Sequence, residues 1–213
     1  MIPKLHYISQ GSSSKEHLEN IQKACNAGIE LVQLRLKKGS DKEVLRVAKE
    51  AREITAHFQT RLIINDHYKI AREVKADGVH LGMSDVCPTA ARKHIYTWQI
   101  IGGTAHTLED CESLLAKQVD YISVGPFKAT STIENLLPLL GLDGYTAIMD
   151  VLQTETPILG VGGITTADVK AILATGISGL AVSEAITRDF NCIKTFNELL
   201  GASSTDEQRH SFK

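Results

Sequence analysis

The chain has 213 residues, of which 43% are hydrophobic and 23% charged, which fits one α/β domain better than two domains with separate cores. The formal net charge of −2 gives no extended positive field and argues against nucleic acid as a partner. The four cysteines form no Cys-x-x-Cys pair, which predicts reduced thiols in a cytoplasmic protein. There is no signal-peptide pattern and no apolar run of membrane-spanning length, so we expect neither export nor membrane insertion.

Short apolar runs alternate with segments of helical period along the sequence, as in repeated βα units. The strands are predicted near residues 4–8, 30–35, 61–65, 77–81, 99–103, 119–124, 157–161 and 178–183. The helices are predicted near 15–27, 41–58, 67–74, 88–94, 107–117, 143–153, 166–175 and 190–200. Eight units predict a single-domain (β/α)8 (TIM) barrel over residues 1–200, with an open doubly wound sheet as the alternative. The polar segment 201–213 is expected to be a disordered tail.

The segment from Leu62 to Asp85 has the pattern strand, helix, strand, with carboxylates after both strands. Asn65 and Asp66 end the first strand, and Asp85 follows the second. A right-handed crossover between parallel strands brings both ends to one edge, where the two aspartates can share a cation. Mg²⁺ is usually held by one or two carboxylates, with substrate phosphates and water completing its shell. The alternative is structural, because Asp and Asn also favour strand ends and N-caps.

A row of polar side chains follows the second strand. Gln33, Arg35 and Lys37 are two residues apart, which places them on one face of an extended segment, with the leucines on the other. Burying such a row is costly unless an anion is present. The row therefore indicates a phosphate or diphosphate clamp, in which arginine binds bidentately and lysine supplies a point charge. Surface salt bridges are the alternative.

The last two βα units of the sequence indicate a second anion site. The seventh unit runs from a strand through GVGGIT at 160–165 into a helix, and the eighth strand ends in Ser183 and Glu184. Backbone amides at a helix start favour phosphate, and barrels often bind it with the loops after strands seven and eight. Glycine-rich turns are also common without any ligand.

Two further loops carry hydroxyl and imidazole groups. The segment after the sixth strand, VGPFKATST at 124–132, continues irregularly to Gly141, and such long loops are often lids. After the fifth strand, Thr104 can donate to a phosphate oxygen. His106 fits either acid–base catalysis or a structural hydrogen bond.

Seven short motifs follow one another over nearly the whole chain. They are Gln33-x-Arg35-x-Lys37, Ile64-Asn65-Asp66, His80-Leu-Gly82-x-x-Asp85, Thr104-Ala-His106-Thr107, Gly125-Pro126, Thr130-x-Thr132 and Gly160-x-Gly162-Gly163-Ile164-Thr165. In this order they resemble thiamine phosphate synthases and the related thiazole tautomerases. The resemblance implies a TIM-barrel transferase that joins hydroxymethylpyrimidine diphosphate to thiazole phosphate, giving thiamine phosphate and pyrophosphate by dissociative substitution.

The resemblance also implies a role for each matching residue. The pyrimidine diphosphate would be held by Gln33, Arg35, Lys37, Asn65 and Thr104, of which Arg35, Lys37 and Thr104 would be catalytic. Mg²⁺ would be held by Asp66 and Asp85. The thiazole phosphate would be held by Thr130, Thr132, Gly163, Ser183 and Glu184.

Two positions depart from the family pattern. The family usually has a lysine where this chain has Ile133, and a serine where it has Glu184. We expect Lys128, in the same loop, to replace the missing charge at the diphosphate. Two alternatives stay open, a thiazole tautomerase and a catalytically weakened barrel that only binds precursors. The sequence also leaves a homo-oligomer open.

Overall fold

Eight parallel strands close into a barrel in which each strand pairs with its neighbours in sequence. The computed structural model describes residues 2–37, 39–129 and 138–201. The strands are β1 Leu5–Ile8, β2 Leu31–Leu34, β3 Arg61–Asn65, β4 Gly78–Leu81, β5 Ile100–Ala105, β6 Tyr121–Val124, β7 Ile158–Val161 and β8 Gly179–Val182. Because β1 pairs with both β2 and β8, the TIM barrel is confirmed and the open sheet is excluded.

Helices follow the strands and pack around the barrel. They are α1 Ser14–Asn26, α2 Asp41–His57, α3 Tyr68–Glu73, α4 Pro88–Arg92, α5 Leu108–Ala116, α6 Gly141–Val151, α7 Val169–Ala174, α8 Glu184–Arg188 and α9 Cys192–Leu199. A 3-10 turn at Thr166–Asp168 precedes α7. The sequence prediction missed α8, which begins two residues after the end of β8, and its last predicted helix corresponds to α9.

The ends and buried faces of the helices follow from the local sequence. The Ser13 hydroxyl accepts the N–H of Glu16 at 3.2 Å and caps α1, and Thr107 and Asp110 form a capping box at α5. The residues of α1 that face the barrel are spaced at helical intervals: His17, Asn20, Ile21, Ala24 and Cys25. Side-chain caps therefore fix the starts of α1 and α5, and α1 buries one stripe against the strands.

The cysteines and the lengths of the helices can be compared with what the sequence predicts. All four cysteines lie in it, and they form no disulfide. None of the helices between residues 2 and 201 that the structure describes combines the length and apolarity that crossing a bilayer requires.

Alternate strand residues face the surrounding helices and the inside of the barrel. Along β2, Val32 and Leu34 belong to the hydrophobic core, whereas Gln33 between them lines the cavity at the barrel mouth. Along β6, Ile122 belongs to the core and Ser123 lines the cavity. The layer outside the strands is thus apolar, while the upper interior of the barrel carries polar side chains.

Tyr145 of α6 joins β6 to β7 from outside the barrel. Its side chain is fully buried and stacks on Phe127, with ring centroids 5.4 Å apart. Its hydroxyl donates to the carbonyl of Val124 at 2.9 Å and accepts the N–H of Val161 at 3.1 Å. One phenol therefore satisfies backbone groups at the ends of two neighbouring strands.

Replacing Tyr145 by phenylalanine should lower the free energy of unfolding by about 1–3 kcal/mol, because a buried N–H loses its acceptor. Chemical denaturation of the variant and the wild type measures the difference. Tyr96→Phe is the matched control, since Tyr96 is 36% exposed, and it should change the stability little. Equal stability of Tyr145→Phe and wild type would show that this bond is dispensable.

Candidate active site

A cavity of about 670 Å³ opens at the carboxyl ends of the strands. The predicted site residues that line it are Gln33, Arg35, Lys37, Asn65, Asp66, Asp85, Thr104, His106, Gly163, Ser183 and Glu184. They come from the ends of six strands and from the loops that follow them. Thr130, Thr132 and Ile133 lie outside the described residues.

Two carboxylates meet on one wall of this cavity. Asp66 has a φ of +65°, and its N–H donates to the carbonyl of His80 at 2.8 Å, which aligns the exits of β3 and β4. The side chain of Asp85 accepts the N–H of Gly82 at 2.6 Å. Burial, followed by the hydrogen bond and charge repulsion from Asp85, raises the pKa of Asp66 to about 7. The predicted convergence of the two aspartates is therefore present.

This carboxylate pair fits a divalent cation of the Mg²⁺ type. Two like charges in contact repel each other, and a cation between them would remove that repulsion. The described ranges contain no group of three or more His, Cys, Asp and Glu side chains able to hold a metal. Such a site would depend on substrate phosphates and water for its remaining ligands, which is how Mg²⁺ is usually bound.

Cationic side chains stand beside the carboxylates. Arg35 is mostly buried, and burial lowers its pKa while the charge of Asp66 opposes that shift. Its backbone N–H donates to the hydroxyl of Ser9 at 3.1 Å, which fixes the chain just after β2. Lys37 lines the same wall. The observed β2 ends at Leu34, one residue earlier than predicted, so Arg35 and Lys37 lie in the loop after it. Both residues nevertheless line the same cavity.

A chain of hydrogen bonds crosses the barrel interior below the cavity. Gln33 bonds the hydroxyl of Tyr121, the same hydroxyl lies 3.0 Å from Nδ1 of His80, and Nε2 of His80 lies 2.8 Å from the hydroxyl of Thr104. Burial lowers the pKa of His80 to about 4, so the ring is neutral and has one donor and one acceptor. If its Nε2–H donates to Thr104, the threonine hydroxyl keeps its own proton for a ligand in the cavity.

Sequence reasoning gave His80 and Tyr121 no role. At His80 the available signal was a polar residue between the apolar neighbours Val79 and Leu81 on a predicted strand. Tyr121 follows Asp120 and carries no such signal. Gly102 of β5 makes room for the ring, because a Cβ atom there would lie 2.1 Å from Cζ of Tyr121. The tyrosine can therefore reach across the barrel to His80.

His106 makes a structural hydrogen bond. Its Nδ1 is close to the carbonyl oxygen of Gly125, and a carbonyl can only accept, so Nδ1 carries the proton. Its backbone N–H donates to Asp110 at 2.9 Å. The sequence left both acid–base catalysis and a structural hydrogen bond open for His106. The contacts seen here are those of a structural residue, and they tie the end of β5 to the end of β6.

The glycine-rich segment after β7 packs closely on the loop after β6. Gly162 and Gly163 have φ angles of +101° and +64°, which side chains rarely adopt. A Cβ atom on Gly162 would lie 2.8 Å from Pro126, and one on Gly163 would lie 2.7 Å from the Ala129 carbonyl. Glycine is thus required at both positions by the backbone conformation and by the neighbouring loop.

Lys128 lies outside the cavity lining in this structure, and its expected contact with the diphosphate stays a prediction. Its ammonium group donates to the carboxylate of Asp168 at 2.5 Å, outside the cavity lining. Its backbone N–H also donates to Gly162 at 3.0 Å. A neighbouring carboxylate and a fixed backbone hold the side chain on the outer side of the loop. Glu184, the other unusual residue, forms an ion pair with Arg188.

His6 lies below this network, near the bottom of the barrel. Its ring is fully buried and meets the ring of Tyr121 edge-on, with centroids 5.0 Å apart. Nε2 lies 3.1 Å from the carbonyl of Pro3 and donates to it, while Nδ1 has no partner among the described residues. Burial, and then the proximity of His80, lower its pKa to about 3. The ring is therefore neutral in the folded protein.

The fold and the cavity define a (β/α)8-barrel protein with two facing carboxylates and adjacent cations at the barrel mouth. The family model described as thiamine monophosphate synthase matches residues 5–186, and the chain belongs to this family.

Relatives and a solved structure agree over almost the full length. The chain is 38% identical to the thiamine-phosphate synthase of Flavobacterium johnsoniae over 95% of this chain and 99% of that protein. It is 39% identical to that of Flavobacterium psychrophilum over 93% of this chain and 98% of that protein. A thiamine phosphate pyrophosphorylase from Pyrococcus furiosus superposes with a TM-score of 0.80 at 26% identity, covering 93% of this chain and 95% of that structure.

The buried histidine predicts a specific acid sensitivity. A histidine that titrates near 6.5 when unfolded and near 3 when folded binds more protons in the unfolded state below pH 6.5. Its contribution to stability is complete above that pH and is lost as the pH falls toward 3. In His6→Leu, the loss of unfolding free energy between pH 7 and pH 5 should be about 2 kcal/mol smaller than in wild type. Denaturation curves at both pH values test this, and an unchanged loss would contradict a neutral His6.

Proposed function

We propose that this chain condenses 4-amino-2-methyl-5-hydroxymethylpyrimidine diphosphate with 4-methyl-5-(2-phosphoethyl)thiazole, giving thiamine phosphate and pyrophosphate. The reaction is an alkyl transfer, which makes the protein a transferase. The observation that carries the proposal is the pair Asp66 and Asp85 beside Arg35 and Lys37 in one cavity, in a chain of the thiamine monophosphate synthase family.

Each substrate is assigned to its own side of the cavity. The pyrimidine diphosphate is held by Gln33, Arg35, Lys37, Asn65 and Thr104. The thiazole phosphate is held by Gly163, Ser183 and the backbone at Glu184, together with Thr130 and Thr132 of the sixth loop. Asp66 and Asp85 hold Mg²⁺, which when bound neutralises charge on the diphosphate.

The bond that breaks joins the pyrimidine methylene carbon to a diphosphate oxygen, and its electron pair leaves with the diphosphate. Arg35 and Lys37 stabilise this leaving charge, and Thr104 donates a hydrogen bond to it. The electron-rich aminopyrimidine stabilises the methylene cation, and the thiazole nitrogen supplies the electrons for the new C–N bond. The residues at the barrel mouth hold the two substrates in contact and exclude water, so no protein nucleophile is needed.

The comparisons do not favour the two alternatives raised by the sequence. A tautomerase needs neither a diphosphate site nor a metal, whereas this cavity carries the carboxylate pair and the adjacent cations. An assay of the purified protein with both substrates and Mg²⁺ tests the proposal, by measuring thiamine phosphate and pyrophosphate in equal amounts. A cytoplasmic location and a homo-oligomeric state stay predictions from the sequence.

Asp66→Asn and Asp85→Asn should each lower turnover by about a hundredfold or more, since each removes charge from the metal site. Both variants should fold. Asparagine tolerates the left-handed backbone conformation of residue 66, and an amide oxygen at residue 85 can still accept the N–H of Gly82.

Steady-state rates and denaturation curves measure both effects. Asp150→Asn is the matched control, because Asp150 is exposed on α6 away from the cavity, and its rate should equal that of wild type. Rates within about threefold of wild type in both cavity variants would eliminate the metal role.

Arg35→Ala should weaken binding of the pyrimidine diphosphate by about tenfold or more and leave binding of the thiazole phosphate nearly unchanged. The reason is that Arg35 stands beside Asp66, on the wall assigned to the diphosphate. Calorimetric titration with each substrate separately measures the two affinities. Equal losses for both would mean that the two anion sites are wrongly assigned.

A further inference from the structure

Arg188 is a cavity residue that the family motifs do not include. It is the last residue of α8, one turn after Glu184, and the two side chains form an ion pair. The Arg188 side chain is 77% exposed and that of Glu184 is 29% exposed. Both line the cavity, together with Gly163 and Ser183. The carboxylate thus holds the guanidinium group at the side of the cavity formed by β7 and β8.

The charges around the cavity are distributed unevenly. Among the described residues that line it, the lysines and arginines are Arg35, Lys37 and Arg188. Arg35 and Lys37 both act on the charge of Asp66, so they belong to the carboxylate wall. Lys128 is paired with Asp168 outside the lining. Among the described residues that line the cavity, Arg188 is therefore the cationic side chain next to the glycine-rich segment.

Glu184 on its own would oppose phosphate binding at this place. A phosphate monoester carries a charge of about −1.5 to −2 near neutral pH, and a nearby carboxylate repels it. The guanidinium group of Arg188 offsets that repulsion and presents several N–H donors in a planar arrangement that matches phosphate oxygens. The pair can thus accept an anion where the carboxylate alone would reject it.

We propose that Arg188 is a side-chain ligand of the phosphate group of the second substrate, and that Glu184 positions it while the site is empty. This inference rests on the proposed function for the identity of that substrate, the thiazole phosphate. It makes Arg188 a specificity residue, because the thiazole alcohol that lacks the phosphate gains nothing from the guanidinium group.

The test compares Arg188→Gln with the matched control Lys194→Gln, which removes an exposed cation from α9. Calorimetric titrations use the thiazole phosphate, the thiazole alcohol, inorganic phosphate and the pyrimidine diphosphate, each separately. Arg188→Gln should weaken binding of the thiazole phosphate by about tenfold to a hundredfold, and it should also weaken binding of inorganic phosphate. Binding of the alcohol and of the pyrimidine diphosphate should stay within about twofold of wild type, and the control should match wild type throughout.

Glu184→Ser separates a ligand role from a structural one. With Arg188 intact, this variant should bind the thiazole phosphate at least as tightly as wild type, because a repelling charge is gone. A loss as large as that of Arg188→Gln would overturn the proposal and make the pair a structural unit of α8. Unchanged affinity of Arg188→Gln for the thiazole phosphate would also overturn it.

Failure of the inference and failure of the proposed function give different results. A wild-type protein that forms no thiamine phosphate but binds the thiazole phosphate in an Arg188-dependent way refutes the function and supports the inference. A wild-type protein that turns over both substrates while Arg188→Gln keeps the same affinity and KM for the thiazole phosphate refutes the inference alone. If neither the thiazole phosphate nor inorganic phosphate binds to the wild-type protein, the inference is refuted as well.

Discussion

Pairing of β1 with β8 is the constraint on which the rest of the structure depends. Leu5 aligns with Leu180, and the N–H of Leu180 donates to the carbonyl of Lys4 at 2.7 Å. Closure turns a row of strand ends into a ring, so the exits of β2, β3 and β4 face those of β7 and β8 across one cavity. In an open sheet these residues would lie along an edge, and an anion site on one strand could not face an anion site five strands away.

The closed barrel creates a second requirement, because its interior must be filled. Here the upper interior contains Gln33, His80, Tyr121 and Thr104 joined by hydrogen bonds in place of a fully apolar layer. Buried polar groups are tolerated only when they find partners, and a network of this kind fixes the orientation of its members. The same bonds that satisfy the interior therefore hold Thr104 and Gln33 at the floor of the cavity, where ligands are proposed to bind.

Charged contacts show two points that sequence reasoning did not reach. Lys128 is near the missing family lysine in sequence, yet its ammonium group pairs with Asp168, 40 residues later. Glu184 looked unfavourable for an anion site, but its ion pair with Arg188 offsets the negative charge of the carboxylate. The Lys128 pairing depends on which oppositely charged group lies within reach, and distance along the chain does not determine distance in space. Glu184 and Arg188 are four residues apart on one helix, a spacing at which opposite charges pair locally.

The sequence by itself determined the eight βα units, the barrel and the residues that reach its mouth. The reason is that hydrophobic period is a local property and the carboxyl ends of parallel strands share one face, so Asp66 and Asp85 could be placed together from their strand positions alone. Only the tertiary structure decided the partners of His80, Tyr121, His106 and Lys128. Their hydrogen bonds and ion pairs join segments far apart in sequence, and side-chain orientation across a closed barrel is fixed by packing that no local pattern encodes.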